Sequence, residues 1–120
     1  MLRRIRKSHL KVFRILLCSA IFLHCVEEAF SLPQVQEVVS GNAQITQPTS
    51  TTLQINADNN TIINYSSFNI QENESVIINL PSADSQVLNK VLGSSASQLL
   101  GNLNSNGLFI LVNPAGIYIG

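Results

Sequence analysis

Short apolar runs separated by turn-forming residues are the feature of this sequence that most restricts its fold. Between residues 32 and 120 no uninterrupted apolar run exceeds five residues, and Asn, Gly, Ser or Pro bound each run. The runs are Leu53 with Ile55, Ile62–Ile63, Phe68 with Ile70, Val76–Ile78 with Leu80, Leu108–Val112 and Ile117–Ile119. Such runs are typical of strands joined by turns. The sequence therefore predicts an all-β fold for this part of the chain.

One segment fits a short helix as well as a strand. Its apolar residues lie at helical spacing: Val87, Leu88, Val91 and Leu92. Ser82 and Asp84 precede them as suitable N-cap residues, and Gly93 follows. A helix of about two turns is marginal, because isolated helices below ~12 residues are unstable in water. Periodicity alone leaves both structures open.

Two all-β architectures fit the pattern, a β-sandwich and a parallel β-helix. Strands every 8–12 residues or so are usual in sandwiches, whereas a β-helix stacks its strands coil upon coil. Residues 32–120 contain thirteen asparagines, whose amides can satisfy one another as stacked ladders in a β-helix. The scarcity of charged residues also favours the β-helix, because stacked like charges repel at every coil. No repeat period is visible, so the residues alone leave the sandwich open.

The first 31 residues have the three parts of a secretory signal peptide. The parts are five basic residues (Arg3, Arg4, Arg6, Lys7 and Lys11), an apolar stretch at 12–26, and small residues at Ala29 and Ser31. The part of this stretch without a basic residue other than histidine, 15–26, has 12 residues and is apolar except for Ser19 and His24. A membrane-spanning helix needs about 20. We therefore predict a signal peptide at 1–31, cleaved after Ser31, and a mature domain at 32–120; an uncleaved membrane anchor is the alternative.

Loss of the signal peptide changes the chemistry of the remaining chain. Both cysteines and both histidines lie within residues 1–31, and so do six of the seven basic residues. The mature part keeps Lys90 and five acidic residues, a net charge of −4. A surface without a basic patch argues against nucleic-acid binding. The lack of His and Cys excludes the usual acyl-transfer triads.

The remaining catalytic candidates are weak. Lys90 with Ser94, Ser95 or Ser97 is a formal Ser–Lys pair, but a lone surface lysine explains it better. Glu72 and Glu74 are two residues apart and are expected to share one face of a strand as solvated charges. Asp58 with Asn59 and Asn60 lacks the pattern of a calcium loop. We predict neither an enzyme nor a cofactor or metal site.

The segment Asn113-Pro114-Ala115-Gly116 has the preferred residues of a type I turn. Asn is favoured at the first position, Pro at the second and Gly at the fourth. Apolar runs lie on both sides of the turn, at 108–112 and 117–119. The sequence therefore predicts a strand, a tight corner and a second strand.

Three segments together resemble a known family. They are TLQINADNNTIINYSSFNIQENESVIINLP (52–81), VLNKVLG (87–93) and GNLNSNGLFILVNPAGIYIG (101–120). In order and spacing they resemble the amino-terminal secretion domain of filamentous haemagglutinins, the exported partners of two-partner secretion systems. The matching motif residues are Leu88, Asn89, Lys90, Val91, Gly93, Asn106 and Gly107, followed by Asn113, Pro114, Ala115, Gly116 and Ile117.

The resemblance implies a right-handed parallel β-helix, with segment 87–93 as a strand. It also implies export from a Gram-negative cell to its surface or the medium. The partner in export would be an outer-membrane β-barrel transporter with periplasmic domains. A physically sensible mode of recognition is β-augmentation, in which strands pair with an exposed sheet edge. Residues 106–120 would then form an element for recognition and nucleation of folding.

The resemblance also implies what kind of protein carries the domain. The family domain continues beyond the stretch seen here, so residues 32–120 are expected to be its N-terminal part. The first expectation is a surface-exposed or released adhesin, with host-cell receptors bound by downstream regions. The alternative is a large secreted toxin, a cytolysin or a contact-dependent inhibition effector, with the same export domain.

The chain departs from the family pattern at two motif positions. Ala115 stands where the family has Asn, and Lys90 where it has Arg. Ala cannot make the local side-chain hydrogen bonds of Asn. If position 115 needs a positive φ, the alanine costs about 1 kcal/mol.

Overall fold

The computed structural model describes residues 32–120. The predicted signal peptide, its cleavage site at Ala29 and Ser31 and the alternative of a membrane anchor lie outside these residues. Ten strands and no helix form the described part, as expected for an all-β fold; they are β1 Gln34–Ser40, β2 Ala43–Thr49, β3 Thr52–Ala57, β4 Thr61–Ser67, β5 Ser75–Asn79, β6 Gln86–Val91, β7 Ser97–Leu99, β8 Asn102–Ser105, β9 Leu108–Val112 and β10 Ile117–Ile119. A membrane-spanning helix is accordingly absent from residues 32–120.

The strands stack in three sheets that follow three sides of a coiled path. β3, β5 and β8 pair in parallel on one side, β4, β6 and β9 on the second, and β7 and β10 on the third. A parallel bridge between Ile70 and Leu99 adds Ile70, which follows β4, to the third side. The chain passes the three sides three times, as coil 1 (52–70), coil 2 (75–99) and coil 3 (102–119). The predicted parallel β-helix is confirmed, and the sandwich alternative, which needs antiparallel strands throughout, is wrong.

Unequal corners explain why no repeat period is visible in the sequence. Thr52 pairs with Ser75 and Ser75 pairs with Asn102, so the spacing is 23 residues in the first step and 27 in the second. Three residues join β3 to β4, six join β5 to β6 and two join β8 to β9. The strands stay in register while the length of the corners varies.

Alternate side chains of the strands fill the interior of the β-helix. The buried apolar residues are Leu32, Leu53, Ile55, Ala57, Ile63, Tyr65, Phe68, Ile70, Val76, Ile78, Leu80, Val87 and Val91. The Phe68 ring meets the Tyr65 ring edge-to-face at 5.0 Å and lies 5.7 Å from the Phe109 ring. Each fully buried side chain of this size contributes roughly 1.5–3 kcal/mol. This row of apolar side chains joins the three coils.

Two antiparallel strands cover the N-terminal edge of coil 1. β1 pairs with β4 and β2 pairs with β3, both antiparallel. Gly41 lies between β1 and β2 with φ at 81°, a conformation that L side chains rarely adopt. A Cβ at this position would lie 2.5 Å from Thr61 Oγ1. The antiparallel strands satisfy backbone groups that a free sheet edge exposes.

The ambiguous segment 87–92 is a strand and not a helix. β6 pairs in parallel with β4 on one side and with β9 on the other. Val87, Asn89 and Val91 point to the interior, and Lys90 points to solvent. Hydrogen bonds to two neighbouring strands therefore outweigh the helical spacing of the apolar residues. The strand implied by the family resemblance is confirmed, and the helix alternative is wrong.

Candidate functional site

The strand–corner–strand element at the end of the chain is the candidate functional site. β9 is the last strand of its sheet and β10 is the last strand of the third side. The corner 113–116 joins them, as the sequence predicts. Each of the two strands is paired on one edge only within the described residues, β9 with β6 and β10 with β7.

Asn113 fixes the corner to coil 2. Its side-chain Nδ2 donates to the Ser95 carbonyl at 3.0 Å and to Ser97 Oγ at 2.9 Å. Its Oδ1 accepts from the Ala115 backbone N–H at 2.9 Å, which forms an Asx turn. Asn113 is 9% exposed and Ser97 is 1% exposed, so these contacts are shielded from water. The asparagine amide uses both of its donors and its acceptor in holding the turn.

The backbone of the corner has the predicted turn geometry. The Gly116 N–H donates to the Asn113 carbonyl at 3.0 Å, and the Gly116 carbonyl accepts from the Ser97 N–H at 3.0 Å. Gly116 has φ at 113°, which favours glycine. Ala115 lies outside the positive-φ region, as a type I turn requires. The destabilisation of about 1 kcal/mol that a positive φ at position 115 would cause therefore does not arise.

The other residues of the corner face solvent. Pro114, Ala115 and Gly116 are exposed. Ile117 begins β10 with 43% exposure. The five predicted motif residues thus divide into one buried asparagine and four surface residues. The corner can offer backbone groups and apolar contacts to a partner, but it carries no charge.

Asn89, another of the predicted motif residues, is a buried link between three coils. Its Oδ1 accepts from the Tyr65 hydroxyl at 2.7 Å on coil 1, and its Nδ2 donates to the Ile110 carbonyl at 3.1 Å on coil 3. Asn89 and Tyr65 are each 0% exposed. Burial raises the pKa of the Tyr65 phenol well above its usual value. The neutral phenol therefore remains a donor to Asn89.

The neighbours of Asn89 have separate roles. Val91 is buried in the core, Leu88 is half-buried on the outer face and Lys90 is exposed. A Cβ at Gly93 would clash with the Ser66 carbonyl oxygen. Glycine at this position therefore permits coil 2 to approach the backbone of coil 1.

Asn106 and Gly107, which belong to the same set of motif residues as Asn89, form the corner between β8 and β9. The Leu80 N–H donates to Asn106 Oδ1 at 2.7 Å, and Asn106 Nδ2 donates to the Leu80 carbonyl at 2.8 Å. A Cβ at Gly107 would lie 2.6 Å from the Ser85 carbonyl oxygen. The pair thus holds the two-residue corner against coil 2.

Corner asparagines make a second type of contact that sequence reasoning missed. The Gln86 N–H donates to Asn59 Oδ1, and the Gln98 N–H donates to Asn69 Oδ1, each at 2.9 Å. Asparagine was expected to stack on asparagine, and Asn79 Nδ2 does donate to Asn56 Oδ1 at 2.9 Å. Among the described residues, an asparagine amide on one coil more often makes a hydrogen bond to a backbone group of the neighbouring coil. No local signal predicts it, because the partners are 26–29 residues apart in most cases.

The weak catalytic candidates lie in different surroundings. Ser97 Oγ is buried and bound by Asn113, whereas Lys90 lies on the solvent face of β6. Glu72 and Glu74 lie in the turn before β5 and not on one face of a strand. Glu74 is 4% exposed and accepts the Gln71 N–H at 2.8 Å, while Glu72 faces solvent. The expectation of a shared strand face is therefore wrong, because Glu74 closes the turn.

Comparisons with known proteins point to one family. A family model described as TPS secretion domain matches residues 29–120. Two proteins of Haemophilus influenzae described as heme/hemopexin-binding protein are similar to the chain: the one from strain Rd is 36% identical over 91 residues, and the other is 32% identical over 88 residues. The matches cover 76% and 72% of this chain but 10% of each relative. The chain therefore spans about a tenth of the length of these relatives.

A solved structure supports the same assignment. The crystal structure of the HMW1 secretion domain from Haemophilus influenzae is 40% identical to the chain and superposes with a TM-score of 0.70. The match covers 73% of this chain and 23% of the solved one. The similarity extends over most of the three-coil β-helix described above.

Proposed function

This chain belongs to the TPS secretion domain family, and from that premise we propose that an outer-membrane β-barrel transporter with periplasmic domains recognises residues 32–120. The domain is a two-partner secretion module, and exoproteins of this kind reach the surface of a Gram-negative cell or the medium. Recognition of the chain by its transporter is the step proposed here. It would take place in the periplasm, before the β-helix has formed.

One observation carries the proposal: the element β9–corner–β10 joins two strands whose outward-facing side chains are apolar. Leu108 is 55% exposed, Val112 is 44% exposed and Tyr118 is 62% exposed. An extended segment of this kind can add to a sheet edge of a periplasmic domain through backbone hydrogen bonds. Alternate apolar side chains would give the contact its specificity. The fixed turn at Asn113 would then re-form when the segment is released.

The contacts between coils support a role in folding after transport. Asn89, Asn106 and Asn113 each bind a neighbouring coil, so their hydrogen bonds form only when that coil is in place. Coil 1 already has its N-terminal edge covered by β1 and β2. The chain can therefore fold outside the cell from coil 1 onward, and burial of each apolar row opposes return through the transporter.

We place the domain at the head of a surface-binding exoprotein rather than a toxin. The two curated relatives carry names that state binding of heme or hemopexin. Binding of host molecules would be a property of regions outside residues 32–120. Heme binding is not proposed for these residues themselves, because they contain neither His nor Cys. No observation on the described residues favours the toxin alternative.

A secretion assay tests transporter recognition. The chain is co-expressed with a two-partner secretion transporter from the bacterium that encodes it. The amount of secreted chain in the medium is then measured for the parent and for Ile117→Ser. Val39→Ser is the matched control, since Val39 is 52% exposed on β1, a strand that does not pair with β9 or β10. We expect Ile117→Ser to lower secretion at least tenfold and Val39→Ser to leave it within twofold.

A binding measurement separates recognition from folding. The urea-unfolded chain is diluted onto the purified periplasmic domains of that transporter, and the dissociation constant is compared for the same variants. A weaker complex with Ile117→Ser supports recognition of the segment. Equal binding and equal secretion of all three proteins would contradict the proposal.

A further inference from the structure

The sequence contains a single Asn–Gly dipeptide, Asn106-Gly107, at the corner between β8 and β9. Asparagine is a thermolabile residue because its side-chain amide can be lost by deamidation. A following glycine promotes the loss, since without a Cβ its backbone nitrogen can approach the asparagine carboxamide. The nearby asparagines, Asn102 and Asn104, are followed by leucine and serine. Asn106 is therefore the asparagine whose local sequence most favours deamidation.

The fold requires both residues of this dipeptide, each for its own reason. The Asn106 amide binds the Leu80 N–H at 2.7 Å and the Leu80 carbonyl at 2.8 Å, which takes one acceptor and one donor. A Cβ at Gly107 would lie 2.6 Å from the Ser85 carbonyl oxygen, so the corner approaches coil 2 only with glycine. Two separate packing requirements on adjacent positions thus create a chemically reactive pair.

Deamidation of this pair needs only water. The Gly107 backbone nitrogen gives up its proton and attacks Cγ of Asn106. The bond from Cγ to Nδ2 then breaks, Nδ2 leaves as ammonia, and a cyclic succinimide remains. Water opens the ring at either carbonyl and leaves aspartate or isoaspartate at position 106. No electrons are exchanged, and no cofactor takes part.

Contacts of the folded corner oppose ring closure. Cγ becomes tetrahedral when the ring forms, so Asn106 must give up its hydrogen bonds to Leu80. The Gly107 N–H donates to Ser105 Oγ at 3.3 Å, and the same hydroxyl donates to the Gly107 carbonyl at 2.9 Å. Protection comes from this geometry and not from burial, because Asn106 is exposed. These contacts lie within the corner or face coil 2, so they do not depend on chain beyond residue 120.

The products of the reaction do not fit the same corner. Aspartate has an oxygen in place of Nδ2, so two acceptors would face each other at the Leu80 carbonyl, which loses its donor. Isoaspartate adds one atom to the main chain of a corner that has only two residues. Either product therefore weakens the attachment of coil 3 to coil 2.

We propose that Asn106 is a deamidation site of the unfolded chain, and that docking of the β8–β9 corner on coil 2 protects it. A chain that stays unfolded progressively loses the amide with which coil 3 binds coil 2, whereas a folded chain keeps it. Neither the reaction nor its suppression needs a transporter, so both go beyond the proposed function. Only the consequence that a chain waiting in the periplasm loses its ability to fold rests on that function.

Mass spectrometry of the purified 120-residue chain tests the site. Samples are kept at mildly alkaline pH in native buffer or in concentrated urea, then unfolded and digested with trypsin. Cleavage after Lys90 releases residues 91–120, which contain no Asp, Glu, Lys or Arg, so a new carboxylate is easily separated by charge. We expect Asn106 to react at least tenfold more slowly in native buffer than in urea, because reaction requires local opening. Equal rates in the two states, or faster reaction of Asn104 than of Asn106 in urea, would overturn the proposal.

A serine variant tests whether the corner itself gives the protection. Ser105→Ala frees the Gly107 N–H and should raise the rate at Asn106 at least threefold in native buffer, without changing it in urea. Ser94→Ala is the matched control, since Ser94 is an exposed serine of the same peptide, and it should behave as the parent in both buffers. A parental rate in Ser105→Ala, or an equal rise at Asn104, would contradict protection by the corner.

Refolding of aged chain tests the consequence. Chain partly deamidated in urea is returned to native buffer and treated with a protease that degrades unfolded protein. Modified and unmodified molecules then compete in one sample. We expect deamidation at Asn106 to be at least fivefold depleted among the surviving molecules, because the open population determines cleavage. Equal survival would show that the products fit the corner and would overturn the proposal.

Discussion

The side-chain amide of Asn106 makes two hydrogen bonds to the backbone of Leu80, 26 residues earlier in the chain. Leu80 N–H donates to Oδ1 at 2.7 Å, and Nδ2 donates to the Leu80 carbonyl at 2.8 Å. The amide thus takes the place of a strand neighbour where the corner interrupts the pairing of β5 with β8. A short corner is thereby stabilised without additional residues.

Replacement of Asn106 should weaken the whole domain. Asn106→Ala removes both hydrogen bonds and leaves two backbone groups of Leu80 without a partner, so we expect a loss of about 2 kcal/mol in the free energy of unfolding. Urea denaturation followed by fluorescence or circular dichroism measures it. Asn104→Ala, on the exposed face of β8, should cost less than about 0.5 kcal/mol. Similar losses in both variants would show that Leu80 does not depend on Asn106.

The buried Tyr65 should make stability depend on pH in the alkaline range. Its folded pKa is raised above the ordinary value of 10.0 by burial, so the unfolded chain loses the phenol proton first as the pH rises. The stabilisation is complete below pH 10.0 and is lost above it, at about 1.4 kcal/mol per pH unit. Denaturation curves between pH 8 and roughly 11.5 measure this fall.

Two substitutions of tyrosine by phenylalanine identify the group that causes the pH dependence. Tyr65→Phe should abolish the alkaline fall, at a cost of about 1–2 kcal/mol at neutral pH, because Asn89 Oδ1 loses its donor. Tyr118→Phe removes an exposed phenol and should keep the fall of the parent chain. Persistence of the fall in Tyr65→Phe would assign it to another group.

Gly93 and Gly116 should differ in their response to alanine. Gly93→Ala brings a Cβ against the Ser66 carbonyl, so coils 1 and 2 must separate locally, at a cost of about 3 kcal/mol. In Gly116→Ala the new Cβ would lie 3.9 Å from Ala96 Cβ, which is an ordinary contact. The φ of 113° is unfavourable for alanine instead, so we expect a loss of about 1–2 kcal/mol in the free energy of unfolding. Thermal unfolding at equal protein concentration ranks the two variants. A smaller effect at Gly93 would contradict the close approach of the coils.

Restoring the family residue at position 115 should have little effect. Ala115 has a negative φ and an exposed side chain, so Ala115→Asn neither relieves strain nor fills a cavity. We expect the free energy of unfolding to change by less than about 0.5 kcal/mol, and secretion to stay within twofold. A clear gain in secretion would show that the transporter contacts the asparagine itself.

Local patterns predicted the strands with a strong apolar signal. β3, β4 and β5 follow from alternating or continuous apolar residues, since burial of every second side chain is a local property of a strand. β1 and β2 lack such a signal, because Gln34–Ser40 and Ala43–Thr49 are mostly polar and exposed. Their pairing with coil 1 determines their structure, and that pairing is not visible in either segment alone.

The candidate site was also predicted only in part, because a local pattern does not reveal contacts with other coils. The turn at Asn113 follows from its four residues, and the family motif marked Asn89, Asn106 and Gly93 as positions of interest. Their roles depend on partners in other coils: Ile110 for Asn89, Leu80 for Asn106 and Ser66 for Gly93. Corners of unequal length hide the coil spacing, so these partners cannot be deduced from a single sequence.

The unequal corners also have a consequence for engineering. Since six residues connect β5 to β6 where two connect β8 to β9, insertions at a corner leave the strand stack undisturbed. A foreign peptide inserted between the exposed residues Ala83 and Asp84 should therefore leave the buried Leu80 and Ser85 and the strand stack in place. A domain built this way can change the chemistry of its outer surface while its strand framework stays the same.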